Sequence, residues 1–228
     1  MDQVPHGWST PVARFCVWDG ARAADAKPDV DFVAPMLRRR LSPLARAALH
    51  VANACAGDLP RVRFVYASRH GELGRTVELL QAIADEEPLS PTTFSLSVLN
   101  SAAGIFSIAR NDHSPAIAVA AGEESFAYGL LEAHAQALAA PGEPVLYVYA
   151  DAPAPSPFGP LENDAKDVIA VALLIDSAAD HHLHSTQCAG AVIEETGATS
   201  QAAAFLSCLS GKVARWSSSH RSWRWTFA

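Results

Sequence analysis

Charge is in short supply in this chain. Only 18% of its 228 residues are Asp, Glu, Lys or Arg, and half are hydrophobic. Such a composition implies that part of the surface is covered by a partner. Basic residues are scarcer than acidic ones, 17 against 24, for a net charge of −7. The densest basic run is Arg38-Arg39-Arg40, too short to neutralise a phosphate backbone, so nucleic acid is excluded as a partner. No apolar run approaches the roughly 20 residues of a membrane span. The N-terminus has no basic segment leading into an apolar one, so no signal peptide is expected. The four cysteines, Cys16, Cys55, Cys188 and Cys208, form no Cys-x-x-Cys pair and read as free thiols of a cytoplasmic protein. The Gly-x-Ser-x-Gly signature of a serine hydrolase is also absent.

What the chain does have is apolar runs alternating with helical patterns. Strands are expected over residues 62–68, 117–121, 145–149, 168–175 and 223–227, with an edge strand over 13–18 and an extended stretch over 94–98. Ser42-Pro43 opens a helix that Gly57 closes, Ser as cap and Pro at the first helical position. Further helices are expected over 76–84, where Val77, Leu80 and Ile83 share a stripe, and over 100–109, 123–139 and 198–209. Loops are expected around Pro88 and Pro91, over 153–160 and at His181-His182-Leu183-His184. Alternation of this kind predicts one α/β domain of 1–228, with a mixed or parallel sheet covered on both faces. Residues 178–228 are expected to be an extension packed on it.

Residues 116–133 concentrate the chemistry. A buried strand there turns through Gly122 into a helix, the geometry that presents a nucleophile at a helix N-terminus. The turn carries Glu123, Glu124 and Ser125 and no cysteine. Both acids complement the helix dipole, while a buried Glu would hold a proton; the residues alone leave both readings open. Ser125 falls in the first helical turn and is expected to cap or pack. The His181, His182, His184 cluster lacks the Cys or carboxylate companions of a metal site, so no metal is expected there, and no cofactor is called for elsewhere.

Asn100-Ser-Ala-Ala-Gly104, Ser114-Pro115 and Ala116 to Ser125 resemble the N-terminal half of a β-ketoacyl synthase, over roughly residues 60–175. More narrowly, 37–46, 90–104 and 121–126 resemble the short ketosynthase-like, chain-length-factor-like subunits of aryl polyene clusters. The resemblance implies a thiolase-like layered α-β-α half-fold. Running without a gap from Asn100, Glu123 stands where the synthase has its nucleophilic cysteine; a slip of one residue gives the place to Gly122. The half that supplies two histidines and a lysine to that cysteine is not expected in a chain of this length.

By the same resemblance, Ile117, Ala118, Val119, Ala120 and Ala121 form the seam of a heterodimer with an active β-ketoacyl synthase. Phe94, Val98, Phe126 and Glu123 would line the end of the acyl tunnel, and an acyl carrier protein would engage mainly the partner. The residues also admit two rivals: an acyl-handling hydrolase or acyltransferase using Ser125, Cys188 or Cys208, and a stand-alone acyl-binding module.

Overall fold

A computed structural model describes residues 6–23, 27–161, 164–190 and 198–228. Strand β1, His6–Asp19, opens the chain and is followed by the short helix α1, Pro35–Arg38, and by α2, Pro43–Ala56. Strand β2, Arg63–Ala67, leads through helices α3 (Leu73–Ala84), α4 (Pro91–Ser95) and α5 (Ser101–Arg110) to β3, Ala116–Val119. Helix α6, Ser125–Ala139, then connects to β4, Val145–Asp151, and β5, Ile169–Ile175. Strand β6 (His182–Ala189), helix α7 (Gln201–Cys208) and strands β7 (Ala214–Ser217) and β8 (Arg221–Phe227) complete it.

The strands form one eight-stranded sheet in the order β3-β2-β4-β5-β1-β6-β8-β7. β2 is parallel to β3 and β4, and every other pairing is antiparallel. The sheet is therefore mixed, as expected. Strands β4 and β5 are buried along their whole length, which is why their sequences run apolar without alternation. Leu146, Val148, Ala172 and Leu174 face a core shared with α2 and α5. Val145, Tyr147, Val171 and Leu173 face a second core with Phe126, Leu130, Phe205 and Trp225. The result is the layered α-β-α arrangement that the resemblance implies.

The N-terminal strand departs from expectation. It is central, not an edge, because residues 6–11 pair with β6 and residues 12–19 with β5. A register shift between Val12 and Arg14 marks the change of partner. Through it the tail strands β6, β8 and β7 continue the same sheet.

Two local expectations also fail. The stretch 94–98 is not extended: Ser90 accepts the Thr93 N–H at 3.2 Å and Pro91 takes the first helical position of α4, the same cap that opens α2. His182 and His184 lie in β6, not in a loop, because His184 is paired between β1 and β8 and His182 exchanges both backbone hydrogen bonds with Ala228. Helix α3 forms as its apolar stripe requires, yet it buries no residue; Leu80 and Ile83 are exposed.

Candidate functional site

The site is a turn at the C-terminal end of β3. Gly122 adopts φ +58°, a left-handed conformation that glycine takes without strain. Ser125 is fully buried; its hydroxyl accepts the Ala121 N–H at 2.9 Å and donates to the Gly122 carbonyl at 2.6 Å. That hydroxyl is spent on closing the turn. The elbow thus has the backbone of a nucleophile turn with Glu123, half-buried, at its tip.

Glu124 lies inward. Its side chain is buried at the N-terminus of α6, and it receives the Ser218 O–H at 3.0 Å and the Trp223 indole N–H at 3.1 Å. The Arg221 guanidinium stands 3.6 Å away. A buried carboxylate is costly unless it is paired and hydrogen-bonded, and the C-terminal hairpin supplies every one of these partners.

Strand β3 is the sheet's edge, bonded on one side to β2. Ala116 and Ile117 are exposed, and Ala118 and Val119 are half-buried, so this strand is not covered on both faces within a single chain. Ile108 is exposed on α5, which packs beside this strand, while Leu80 and Ile83 on α3, Phe94 on α4 and Val98 after it are exposed on helices that pack against each other.

The four residues expected around a tunnel end differ in burial, Glu123 being half-buried. Phe94 and Val98 are 63% and 45% exposed. Phe126 is wholly buried in the other layer, its ring 4.7 Å from Phe205 and 5.4 Å from Tyr149. The first turn of α6 points it into the core, where it backs the elbow from within.

Reactive alternatives have ordinary explanations. Cys208 is buried and its thiol is pushed up to about 11 by that burial, far from the thiolate a nucleophile needs. Cys188 lies half-buried in β6 opposite Ser222. Among the described residues no three His, Cys, Asp or Glu gather as metal ligands, and no helix is long and apolar enough to cross a membrane. Two arginines of the run have structural partners: Arg38 pairs with Asp31 and donates to the Val33 carbonyl, and Arg40 reaches Thr92.

A second polar centre was not anticipated. It occupies the loops after β2 and β4, where ligands sit in open α/β sheets. Asp151 accepts from Ser68 Oγ, from Tyr149 Oη and from the His70 backbone N–H, each at 3.1 Å. Asp164 bonds His70 Nε2 at 2.6 Å and the Ala154 N–H at 3.0 Å, tying the two loops together. Burial raises the Asp151 carboxyl above the usual range. In Asp164 burial acts the same way, but the Ala154 and His70 bonds outweigh it and hold the carboxyl below that range.

Beside this network is a cavity of about 450 Å³ lined by His70, Glu72, Arg75, Leu44 and Pro153. Glu72 accepts from Ser42 and Arg75 there, and burial raises its carboxyl as well. The signal available in sequence was Ser-Arg-His-Gly-Glu directly after an apolar strand.

Comparison with known proteins agrees with this architecture. The model of the beta-ketoacyl synthase N-terminal domain matches residues 13–226, so the match runs through the tail strands. Among the 19 solved chains that match is one from the complex of a ketosynthase (ApeO) with its chain length factor (ApeC) from Xenorhabdus doucetiae. It is 28% identical with a TM-score of 0.78, over 96% of this chain and 99% of that one. A beta-ketoacyl synthase from Burkholderia phymatum STM815 shares the fold at 12% identity and a TM-score of 0.50, over 66% of this chain and 46% of that one. No curated protein sequence matches.

Proposed function

The chain belongs to the family of β-ketoacyl synthase N-terminal domains, and from that premise we propose that it is a non-catalytic, chain-length-factor-like subunit. It pairs with an active β-ketoacyl synthase in the cytoplasm and closes the far end of that enzyme's acyl tunnel, in aryl polyene or polyketide-type biosynthesis. The growing chain is carried by an acyl carrier protein that engages mainly the partner.

The observation that carries this reading is the elbow. Its strand, left-handed glycine and helix are those of a nucleophile turn, yet a carboxylate occupies the tip and the nearby hydroxyl is consumed by the turn. Claisen condensation needs an acyl acceptor and groups that stabilise the developing charge, and Glu123 supplies neither.

The open edge supports the pairing. A sheet edge with exposed apolar side chains invites another strand, and Ala116–Val119 offers one beside α5, with Ala120 and Ala121 following outside the strand. A synthase subunit adding its own edge would bury that surface, at about 25 cal/mol per Å² of apolar area. Within the pair, Phe94, Val98 and Glu123 would set tunnel depth, with Phe126 as the rigid backing.

Co-expression with candidate ketosynthases tests the reading. A 1:1 heterodimer is expected by light scattering, with the chain poorly soluble alone and Ile117→Lys abolishing assembly. A monodisperse monomer with acyl-transfer activity, or stoichiometric labelling of the pure chain by a serine or thiol probe, would overturn it.

A further inference from the structure

The C-terminal hairpin has no part in the seam described above, yet its turn stands at the elbow. We infer that this turn, residues 218–221, is part of the surface that contacts the ketosynthase, and that Glu124 is the positioning residue that holds it there. The inference rests on the subunit reading and deepens it.

The turn is built around one hydroxyl. Ser218 Oγ accepts the backbone N–H groups of His220 at 3.2 Å and Arg221 at 3.1 Å, and its own proton goes to Glu124. The Ser218 N–H donates to the Arg221 carbonyl at 2.8 Å, closing the turn. Behind it Trp223 is buried, donates to the same carboxylate and meets Tyr128 edge-on at 5.5 Å.

The base of the turn is therefore rigid and its tip is presented. Ser218 and Trp223 are buried, whereas Ser219 and His220 are exposed and the Arg221 side chain is 43% exposed. Glu124 is three residues beyond Ala121, the last residue of the proposed seam. Ser218 bonds Glu124, the neighbour of the elbow-tip residue Glu123, at 3.0 Å, so a subunit that covers the tip meets the turn beside it.

The chemistry of the tip defines what it meets. Arg221 carries five donors in a fixed fork, so it can face Glu124 and still bond an acceptor outside. The complementary surface is one of carboxylates or backbone carbonyls on the synthase. Polar groups at an interface rim select among partners more than they add affinity, which makes this turn a determinant of which synthase is accepted.

The test uses the full chain and the ketosynthase recovered with it by co-expression. Ser219→Cys labels with a maleimide in the free chain, and its rate above the wild-type background should fall about tenfold in the complex, as expected of a group removed from solvent. Arg221→Ala should raise the Kd of the pair by about tenfold. Glu124→Gln, which leaves an amide where two donors converge, should raise Kd well below its melting temperature and not merely lower that temperature.

A complex that forms with unprotected Ser219→Cys and with Kd within about twofold for both other variants overturns the inference and leaves the subunit reading standing. Should Glu124→Gln fail to fold, the Ser219→Cys protection decides alone. Failure of any ketosynthase to bind sinks the subunit reading and this inference with it.

Discussion

The indole N–H of Trp223 donates to Oε2 of Glu124 at 3.1 Å, across 99 residues of sequence. One end of the contact is the elbow and the other is the last strand of the chain. A carboxylate buried this deeply is tolerable only with its donors in place. The elbow and the tail are consequently one structural unit, although nothing local in either segment requires it.

Glu124→Ala removes the acceptor and strands the Ser218 and Trp223 donors in the interior. Unpaired buried groups cost about 1–3 kcal/mol, and a loss of that size should appear as a lower urea midpoint with an unchanged slope. Trp223→Phe should also cost stability, because it leaves Oε2 of the buried Glu124 carboxylate without its donor. The double mutant should fall short of the sum of the singles, since both delete one bond. Strict additivity would mean that the bond contributes nothing.

Gly129 lies in the middle of α6, where glycine lowers helix stability. Its reason is tertiary: a Cβ there would sit 2.5 Å from the Ala67 Cβ and 2.8 Å from the Tyr147 ring. The Ala67 methyl belongs to β2 and cannot swing aside. Gly129→Ala should therefore destabilise by about 1–3 kcal/mol through overpacking, against the gain its helix propensity alone would give. A more stable variant in thermal unfolding would refute this packing argument.

Legibility in the sequence followed the range of the interactions. Local rules sufficed where the cause was local: the Ser42-Pro43 cap and Gly57 bound α2, and the uninterrupted apolar runs of β4 and β5 announced strands covered on both faces. The identical Ser90-Pro91 signal was obscured by Phe94 and Val98, whose strand propensity suggested an extended chain. The central place of β1 depends on β5 and β6, at least 150 residues later, and no window of local sequence holds that information. At the site, Gly122 and Glu123 were readable because the turn is local. The burial of Glu124 was not, since all its partners lie beyond residue 217.

The Asp164 carboxyl gives the fold an acid-sensitive contact. Burial pushes its pKa up, but the Ala154 N–H and His70 prevail, so the folded value lies below the unfolded one, which is about 3.9. A depressed carboxyl contributes stability above the unfolded pKa and loses it as pH falls through the folded value. Wild type should accordingly exceed Asp164→Asn in urea stability at neutral pH, with the gap narrowing below about pH 4. A gap constant from neutral pH into that acid range would show that the charge on Asp164 is irrelevant to stability.

Product length is the most direct readout of the partner-facing residues. Phe94 and Val98 are exposed in the free chain, so truncating them removes little from its own core and should leave its stability within about 0.5 kcal/mol. In the assembled pair a shorter side chain at the tunnel end would admit more methylenes, each worth about 0.8 kcal/mol when buried. Phe94→Ala and Val98→Ala should therefore shift the products of the pair to longer chains at similar turnover. Phe126→Ala should instead cost about 3–5 kcal/mol of fold stability, because its ring is locked among Tyr147, Tyr149, Phe205 and Trp225. Glu123→Ala should keep condensation nearly intact. Mass spectrometry of carrier-bound products separates these outcomes, and a collapse of turnover in Glu123→Ala with normal assembly would make that carboxylate catalytic after all.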